Sequence, residues 1–113
     1  MEQLKIDVSP DFAPDVHVLK LSGPFLLANV FEFQAIVRDS PKPTTIVDLS
    51  DVPYMDSAAL GAVVGLHISS QRLGHKYALV GPSQRLETMF DVSGVRDLLV
   101  VFPTFEAALN ALR

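Results

Sequence analysis

Apolar positions change period repeatedly along this chain, and each change marks an element. Val16-His17-Val18-Leu19-Lys20-Leu21 is β-branched and apolar and stops at Ser22-Gly23-Pro24, which reads as a strand. From Leu27 to Arg38, Val30, Phe33 and Val37 recur at helical spacing with Glu32, Gln34 and Arg38 between them. Thr44–Leu49 is a second strand, and Ser50–Met55 a loop. A helical run follows from Ser57 to Leu73, with Gly74 as its stop. Tyr77–Val80 reads as a short buried strand. Ser83–Val92 reads as a helix carrying Leu86, Met89 and Phe90 on one face and closed by Gly94. Leu98–Val101 is the last predicted strand. Thr104 then caps a helix whose Phe105, Ala108, Leu109 and Leu112 fall at i, i+3, i+4 and i+7. An extra strand is expected near Leu4–Val8. Two proline clusters, Ser9–Pro14 and Ser40–Pro43, are too short to be interdomain linkers and are expected to stop what precedes them. Strands alternating with helices imply parallel pairing and right-handed crossovers. The expected fold is α/β: a mixed sheet of four or five strands, about four helices, and an edge strand supplied by the N-terminus.

Composition narrows what such a domain could do. At 113 residues the chain is expected to form one domain over 1–113, with 49% hydrophobic and 19% charged residues, a globular balance. Nine Lys+Arg against 13 Asp+Glu give a formal charge of −4, which argues against a phosphate-backbone binder. The absence of cysteine excludes disulfides, thiolate metal sites and a cysteine nucleophile, and fits a reducing cytoplasm. MEQLKIDVSP has no apolar signal core, and the longest apolar stretch, Ala58–Leu66, falls far short of a membrane helix. A soluble, cytoplasmic protein is expected.

In parallel sheets function collects beyond the carboxyl ends of the strands, where loops lead into helix N-termini. Ser22-Gly23-Pro24, Ser50–Ser57 and Gly81-Pro82-Ser83 are those loops here. Asp56-Ser57 stands where a helix must begin, and its local reading is a cap, by either side chain. Its second reading is a phosphorylation site at Ser57, because a phosphate there meets unpaired N–H groups and the positive end of the helix dipole. Asp48, Asp51 and Asp56 could mimic a magnesium cluster, but no basic residue lies between Thr44 and His67 to hold a phosphoryl group. Strand-end, loop and capping roles explain them better. His17, His67 and His75 lack metal-ligand spacing, and no histidine is tied to Ser57 in a nucleophile motif. No cofactor, metal site or enzyme is expected. Gly61-x-x-x-Gly65 is read as a stripe letting its helix lie close on the sheet, and Ser83 as a helix cap near Ser57 in space.

The segment Asp48-Leu49-Ser50, an apolar turn, Asp56-Ser57 and then a helix of small residues with Leu60-Gly61 resembles the STAS domain of anti-sigma-factor antagonists. The likeness extends upstream to Leu19–Gly23 and downstream through Leu79–Ser83, the Leu86–Phe90 helix, Ser93-Gly94-Val95 and the Phe105–Leu112 tail. The resemblance implies that Ser57 is the residue a partner kinase phosphorylates. It implies a partner switch: the unphosphorylated domain binds a serine kinase that doubles as an anti-sigma factor, the phosphorylated domain does not, and a phosphatase resets it. The expected docking surface is Ser22, Gly23, Pro53, Tyr54, Met55, Asp56, Ser57, Ala58, Gly81, Pro82 and Ser83, with Tyr54 and Met55 as exposed apolar anchors. Two departures from the family pattern stand out. Ala58-Ala59 replaces a second serine and glycine, and the apolar Pro24-Phe25-Leu26 follows Gly23 where an acidic residue is common. Gly23-Pro24-Phe25 looks more like STAS domains attached to anion transporters. An alternative role is therefore an unphosphorylated scaffold or accessory subunit of a transporter or stress-signalling complex, and a further one a module holding an anion or nucleotide at the helix N-terminus. Partners are expected to be proteins, with no direct nucleic acid and no membrane insertion, and the chain a monomer or weak dimer.

Overall fold

The computed structural model describes residues 3–13, 15–39 and 42–112. In chain order the elements are β1 (Lys5–Ala13), β2 (Val16–Ser22), α1 (Leu27–Arg38), β3 (Thr44–Asp51), α2 (Ser57–Leu73), β4 (Lys76–Val80), α3 (Gln84–Val92), β5 (Val101–Phe102) and α4 (Phe105–Leu112). The five strands form one sheet in the order β1-β2-β3-β4-β5. β1 runs antiparallel to β2, and the remaining neighbours are parallel. The expected mixed sheet with an N-terminal edge strand is therefore what forms.

Because β2 to β5 are laid down in order across the sheet, right-handed crossovers must put α1, α2 and α3 on the same face. The core follows that rule. Leu19 and Leu21 of β2, Val47 and Leu49 of β3, and Tyr77 and Leu79 of β4 point into one cluster with Phe33 of α1, Val63 of α2 and Phe90 of α3. Alternate strand residues, Val18, Ile46, Ala78 and Val80, face the other way and meet Ala108 of α4, with Phe105, Leu109 and Leu112 around it. The i, i+3, i+4, i+7 face of the last helix is thus the sole helical cover of the second face among the described residues. No helix among them is long and apolar enough to cross a membrane.

Three expectations need correction. β1 runs to Ala13, through the first proline cluster, with a register irregularity between Ser9 and Ala13. An edge strand tolerates this because one row of its N–H groups has no partner to lose. Pro14, and Ser40 and Pro41 of the second cluster, lie outside the described residues. The last strand is only Val101–Phe102 rather than Leu98–Val101. Leu98 and Leu99 instead close a turn onto the Val95 carbonyl, at 3.0 and 3.1 Å, and Leu99 buries its side chain in the main core. The Val100 N–H donates to the Tyr77 hydroxyl at 3.0 Å instead of entering a strand ladder. The Gly61 and Gly65 stripe does not touch the sheet. α2 buries Ala59, Leu60, Ala62, Val63, Leu66, His67 and Ser70. The two glycines lie on the opposite, exposed side, where an added Cβ would meet nothing within 4 Å.

Candidate functional site

The corner beyond the carboxyl ends of β2 and β3 is assembled by one short parallel bridge. Phe25 pairs with Met55. Phe25 N–H donates to the Tyr54 carbonyl at 3.1 Å, and Asp56 N–H donates to the Phe25 carbonyl at 3.2 Å. One step earlier, Gly23 N–H donates to the Asp51 carbonyl at 3.0 Å. Gly23 has φ 107°, and a Cβ there would come within 2.8 Å of the Gln3 carbonyl oxygen, so only glycine fits the turn. The bridge brings the beginnings of α1 and α2 side by side.

Asp56 joins them. Its Oδ1 accepts from Ala59 N–H at 2.9 Å, the N-cap bond of α2. Its Oδ2 accepts from Leu27 N–H at 2.9 Å, the first residue of α1. One carboxylate thus satisfies an orphan donor at two helix N-termini, where both dipoles favour negative charge. α1 needs the loan because its own cap position is Leu26, which has no side-chain acceptor; Asn29 contributes the reciprocal bond, its Oδ1 accepting from Leu26 N–H at 3.0 Å.

With Asp56 as the cap, Ser57 is the first residue of α2. It is exposed, and its hydroxyl makes no hydrogen bond among the described residues. The first N–H groups of a helix have no intrahelical partners, and Asp56 takes only that of Ala59. The hydroxyl is open to solvent, and N–H groups without intrahelical partners lie beside it.

The remaining expected residues are not all gathered here. Met55 is 6% exposed and packs in the core, so it cannot be an anchor; the bridge to Phe25 turns it inward. Pro53 and Tyr54 are exposed, Ser22, Gly23, Ala58, Gly81, Pro82 and Ser83 half-buried. Arg85 of α3 lies over the Tyr54 ring, 5.0 Å from its centroid, so part of that ring is already covered. Gly23, Ser50, Asp51, Val52, Pro53 and Ser83 line a shallow depression. Ser57, which Ser83 is expected to lie near, is not among the residues lining it. Ser83 caps α3, its Oγ accepting from Leu86 N–H at 3.2 Å. Gly81 and Pro82 border a separate cleft with Glu87, Arg96 and Asp97.

The aspartates have structural partners. Lys20 on β2 reaches Asp48 at 3.5 Å and Asp51 at 3.3 Å. The hydrogen bond that Lys20 donates to Asp51, with the nearby Asp48 charge, raises its ammonium above its ordinary value. Burial pushes the Asp48 carboxyl up, but hydrogen bonds from the Ser50 hydroxyl and N–H, with the Lys20 charge, outweigh it and hold the group below its usual range. No group of three acidic or histidine side chains among the described residues is placed to hold a metal ion.

Two residues absent from the expected surface belong to this corner. Leu27, whose N–H is bonded to Asp56, is 62% exposed, and Phe31, one turn along α1, is 79% exposed. The signal was available: Leu27 and Phe31 share i, i+4 spacing off the Val30–Phe33–Val37 face, so they are apolar residues on the side of the helix that should be polar. The apolar Pro24-Phe25 dipeptide, by contrast, is core. Both residues are buried, and Phe25 packs its ring 5.1 Å from that of Phe33.

An open parallel sheet with one antiparallel edge, carrying two helix N-termini on a single capping aspartate, is the architecture of a small α/β module that presents a helix start at its surface. The family model described as "STAS domain" matches residues 7–108, and the chain belongs to that family. Among curated relatives, it is 29% identical over 90 residues to an anti-sigma-B factor antagonist of Staphylococcus epidermidis, covering 77% of this chain and 83% of that one. It is 39% identical over 62 residues to the anti-sigma-B factor antagonist of Bacillus subtilis, 55% of this chain and 57% of that one. Among solved structures, the anti-sigma factor antagonist SpoIIAA in its unphosphorylated form superposes with a TM-score of 0.79 at 20% identity, covering 96% of each chain. The phosphorylated form of Bacillus SpoIIAA superposes with a TM-score of 0.74 at 20% identity, over 96% of this chain and all of that one.

Proposed function

We propose that this chain is an anti-sigma-factor antagonist: a binding protein whose partner is a serine kinase that also serves as the anti-sigma factor. Phosphorylation of Ser57 switches the contact off, and a phosphatase restores it. The observation that carries the reading is Ser57 itself, an exposed, unbonded hydroxyl at the first position of α2, beside a carboxylate already committed to capping. The names of the relatives support the antagonist role, and SpoIIAA is a structural neighbour known in a phosphorylated form. The partner surface we assign comprises Ser57 with the exposed Leu27 and Phe31 of α1 and Pro53 and Tyr54 of the loop that leads into α2. Because the fold does not use that oxygen, modification alters the surface and leaves the structure intact.

The electrostatics give the switch its direction. A phosphate adds about −1.5 to −2 charges. On Ser57 it stands next to Asp56, so a partner surface that accepted one carboxylate meets roughly three negative charges. Like-charge juxtaposition in a closed interface costs several kcal/mol, a loss of about 100-fold or more in affinity.

The test uses the serine kinase of the chain's own organism with ATP and intact-mass measurement. One phosphate is expected on the wild type and none on Ser57→Ala, while Ser57→Asp binds the kinase about 100-fold more weakly. Phosphorylation of Ser57→Ala to the same extent removes the site assignment. Undiminished binding by Ser57→Asp moves the chain to the unphosphorylated scaffold or transporter-accessory role, the reading that the Ala58-Ala59 departure favours.

A further inference from the structure

At the far end of the molecule from Ser57, where α1 and α2 finish and the parallel strands begin, lies a cleft of about 360 Å³, within the size range of small-molecule sites. Its lining has one sign of charge. Arg38, Lys42 and Arg72 border it beside His75, and no carboxylate is among the lining, although Arg38 pairs with the adjoining Asp39 at 3.4 Å. In a chain with nine Lys+Arg against 13 Asp+Glu, three of the nine converge on one opening. Helix dipoles account for Arg38 and Arg72 singly, since each sits in the last turn of its helix. They do not account for Lys42 and His75 facing the same space.

The floor of the cleft is also unusual. The buried polar residues among those described are His17, Thr44, Thr45, His67 and Ser70, all at this end of the sheet. His17, Thr45 and Tyr77 lie side by side in register across β2, β3 and β4. His67 is satisfied, its Nδ1 lying 2.8 Å from the Tyr77 hydroxyl. Thr45 and Ser70 are not: each lines the cleft, they are 7% and 6% exposed, and neither hydroxyl has a partner among the described residues. His17 Nδ1 is the sealed side-chain atom without a partner among the described residues, so these two hydroxyls reach solvent through the cleft, where a ligand can take the hydrogen bonds that water otherwise makes. Phe33, Val37 and Leu66 supply apolar walls beside them.

We propose that this cleft binds a small organic anion, a single carboxylate or phosphate ester on a compact apolar body. The charge lies against Arg72 and His75, the Thr45 and Ser70 hydroxyls donate to its oxygens, and the apolar part lies along Phe33, Val37 and Leu66. This site is independent of the Ser57 switch and stands whether or not that serine is modified.

Titration of the isotope-labelled chain by amide NMR tests it, with octanoate, phenyl phosphate, inorganic phosphate and the neutral octanol as probes. Octanoate or phenyl phosphate is expected to give saturable shifts at Thr45, Gly65, Ser70 and His75 with a Kd of about 1 mM or tighter. Whichever of the two binds identifies the head group. Inorganic phosphate and octanol are expected to bind at least about tenfold more weakly, each lacking half of the recognition. Arg72→Gln, at an exposed position, is expected to weaken the organic anion about tenfold with the rest of the spectrum unchanged, and Ser57→Ala to leave it unaffected. Four results overturn the proposal: no saturable shift with either organic anion, octanol binding as tightly as octanoate, undiminished binding by Arg72→Gln, or shifts that centre on Ser57.

Discussion

Replacing Asp56 separates its two oxygens. Alanine removes the acceptor for Ala59 N–H and the acceptor for Leu27 N–H together, so two helix N-termini lose a cap in one step. At about 1 kcal/mol per cap, Asp56→Ala is expected to destabilise the fold by roughly 2 kcal/mol. Asp56→Asn retains one carbonyl acceptor and is expected to cost about half as much. Urea unfolding of both variants checks the order; equal costs would mean that only one of the two bonds contributes. Ser57→Ala belongs in the same series as the control, because the fold makes no use of that hydroxyl, and its stability is expected within about 0.5 kcal/mol of wild type. The contrast assigns the neighbours different work: the aspartate holds the corner together, and the serine is left free on it.

At the scale of the element, α2 shows what a one-dimensional pattern reveals and what it hides. Its bounds, Ser57 to Leu73, follow from the Asp56 cap and the Gly74 stop, both visible in the sequence. Its orientation was harder to read. Gly61 and Gly65 look like a close-packing stripe, yet Leu60, Val63 and Leu66 claim the buried face and turn the glycines outward. Gly61→Ala should therefore stabilise the protein, by about 0.5–1 kcal/mol, since the Cβ meets open space in a helix interior. A rise in thermal midpoint checks this, and a fall would mean that the glycine packs against something. The same limit explains the other misreadings. Leu98–Val100 has strand composition, but a turn onto Val95 and the Tyr77 hydroxyl take its N–H groups, and no local pattern announces the Tyr77 hydroxyl as a partner. Met55 lies in the loop between β3 and α2 and is buried by pairing with Phe25, again a contact set by tertiary structure. What was legible, the alternation, the caps and the Asp56-Ser57 corner, depends on near neighbours. What was not, such as Leu27 joining the site through Asp56, depends on which loops the sheet brings together.

Across the whole molecule the two ends of the parallel sheet carry opposite character, and the difference shows in how stability responds to pH. At the strand carboxyl ends Asp48 is held ionised by Ser50 and Lys20. Its folded-state value is depressed, so the unfolded chain takes up the proton first, and the stability it contributes is lost as pH falls below about 4. At the opposite end His17 is buried with an unpartnered Nδ1. Burial, helped by the Lys42 charge, lowers its folded-state value below the ordinary one, favouring the neutral ring in the folded chain. Here too the unfolded chain binds the proton first, but the loss begins as pH falls through about 6.5 and continues down to the folded-state value. The two groups therefore act in separate windows, each with a slope of at most about 1.4 kcal/mol per pH unit. His17→Phe, which removes the titrating ring and fills its space, is expected to flatten the stability profile between pH 5 and 7 and leave the loss below pH 4 in place. Asp48→Asn is expected to do the reverse. Urea midpoints of the three proteins across pH 3–8 measure both windows, and a His17→Phe profile that still falls between pH 7 and 5 as steeply as wild type would assign that proton uptake to a different group.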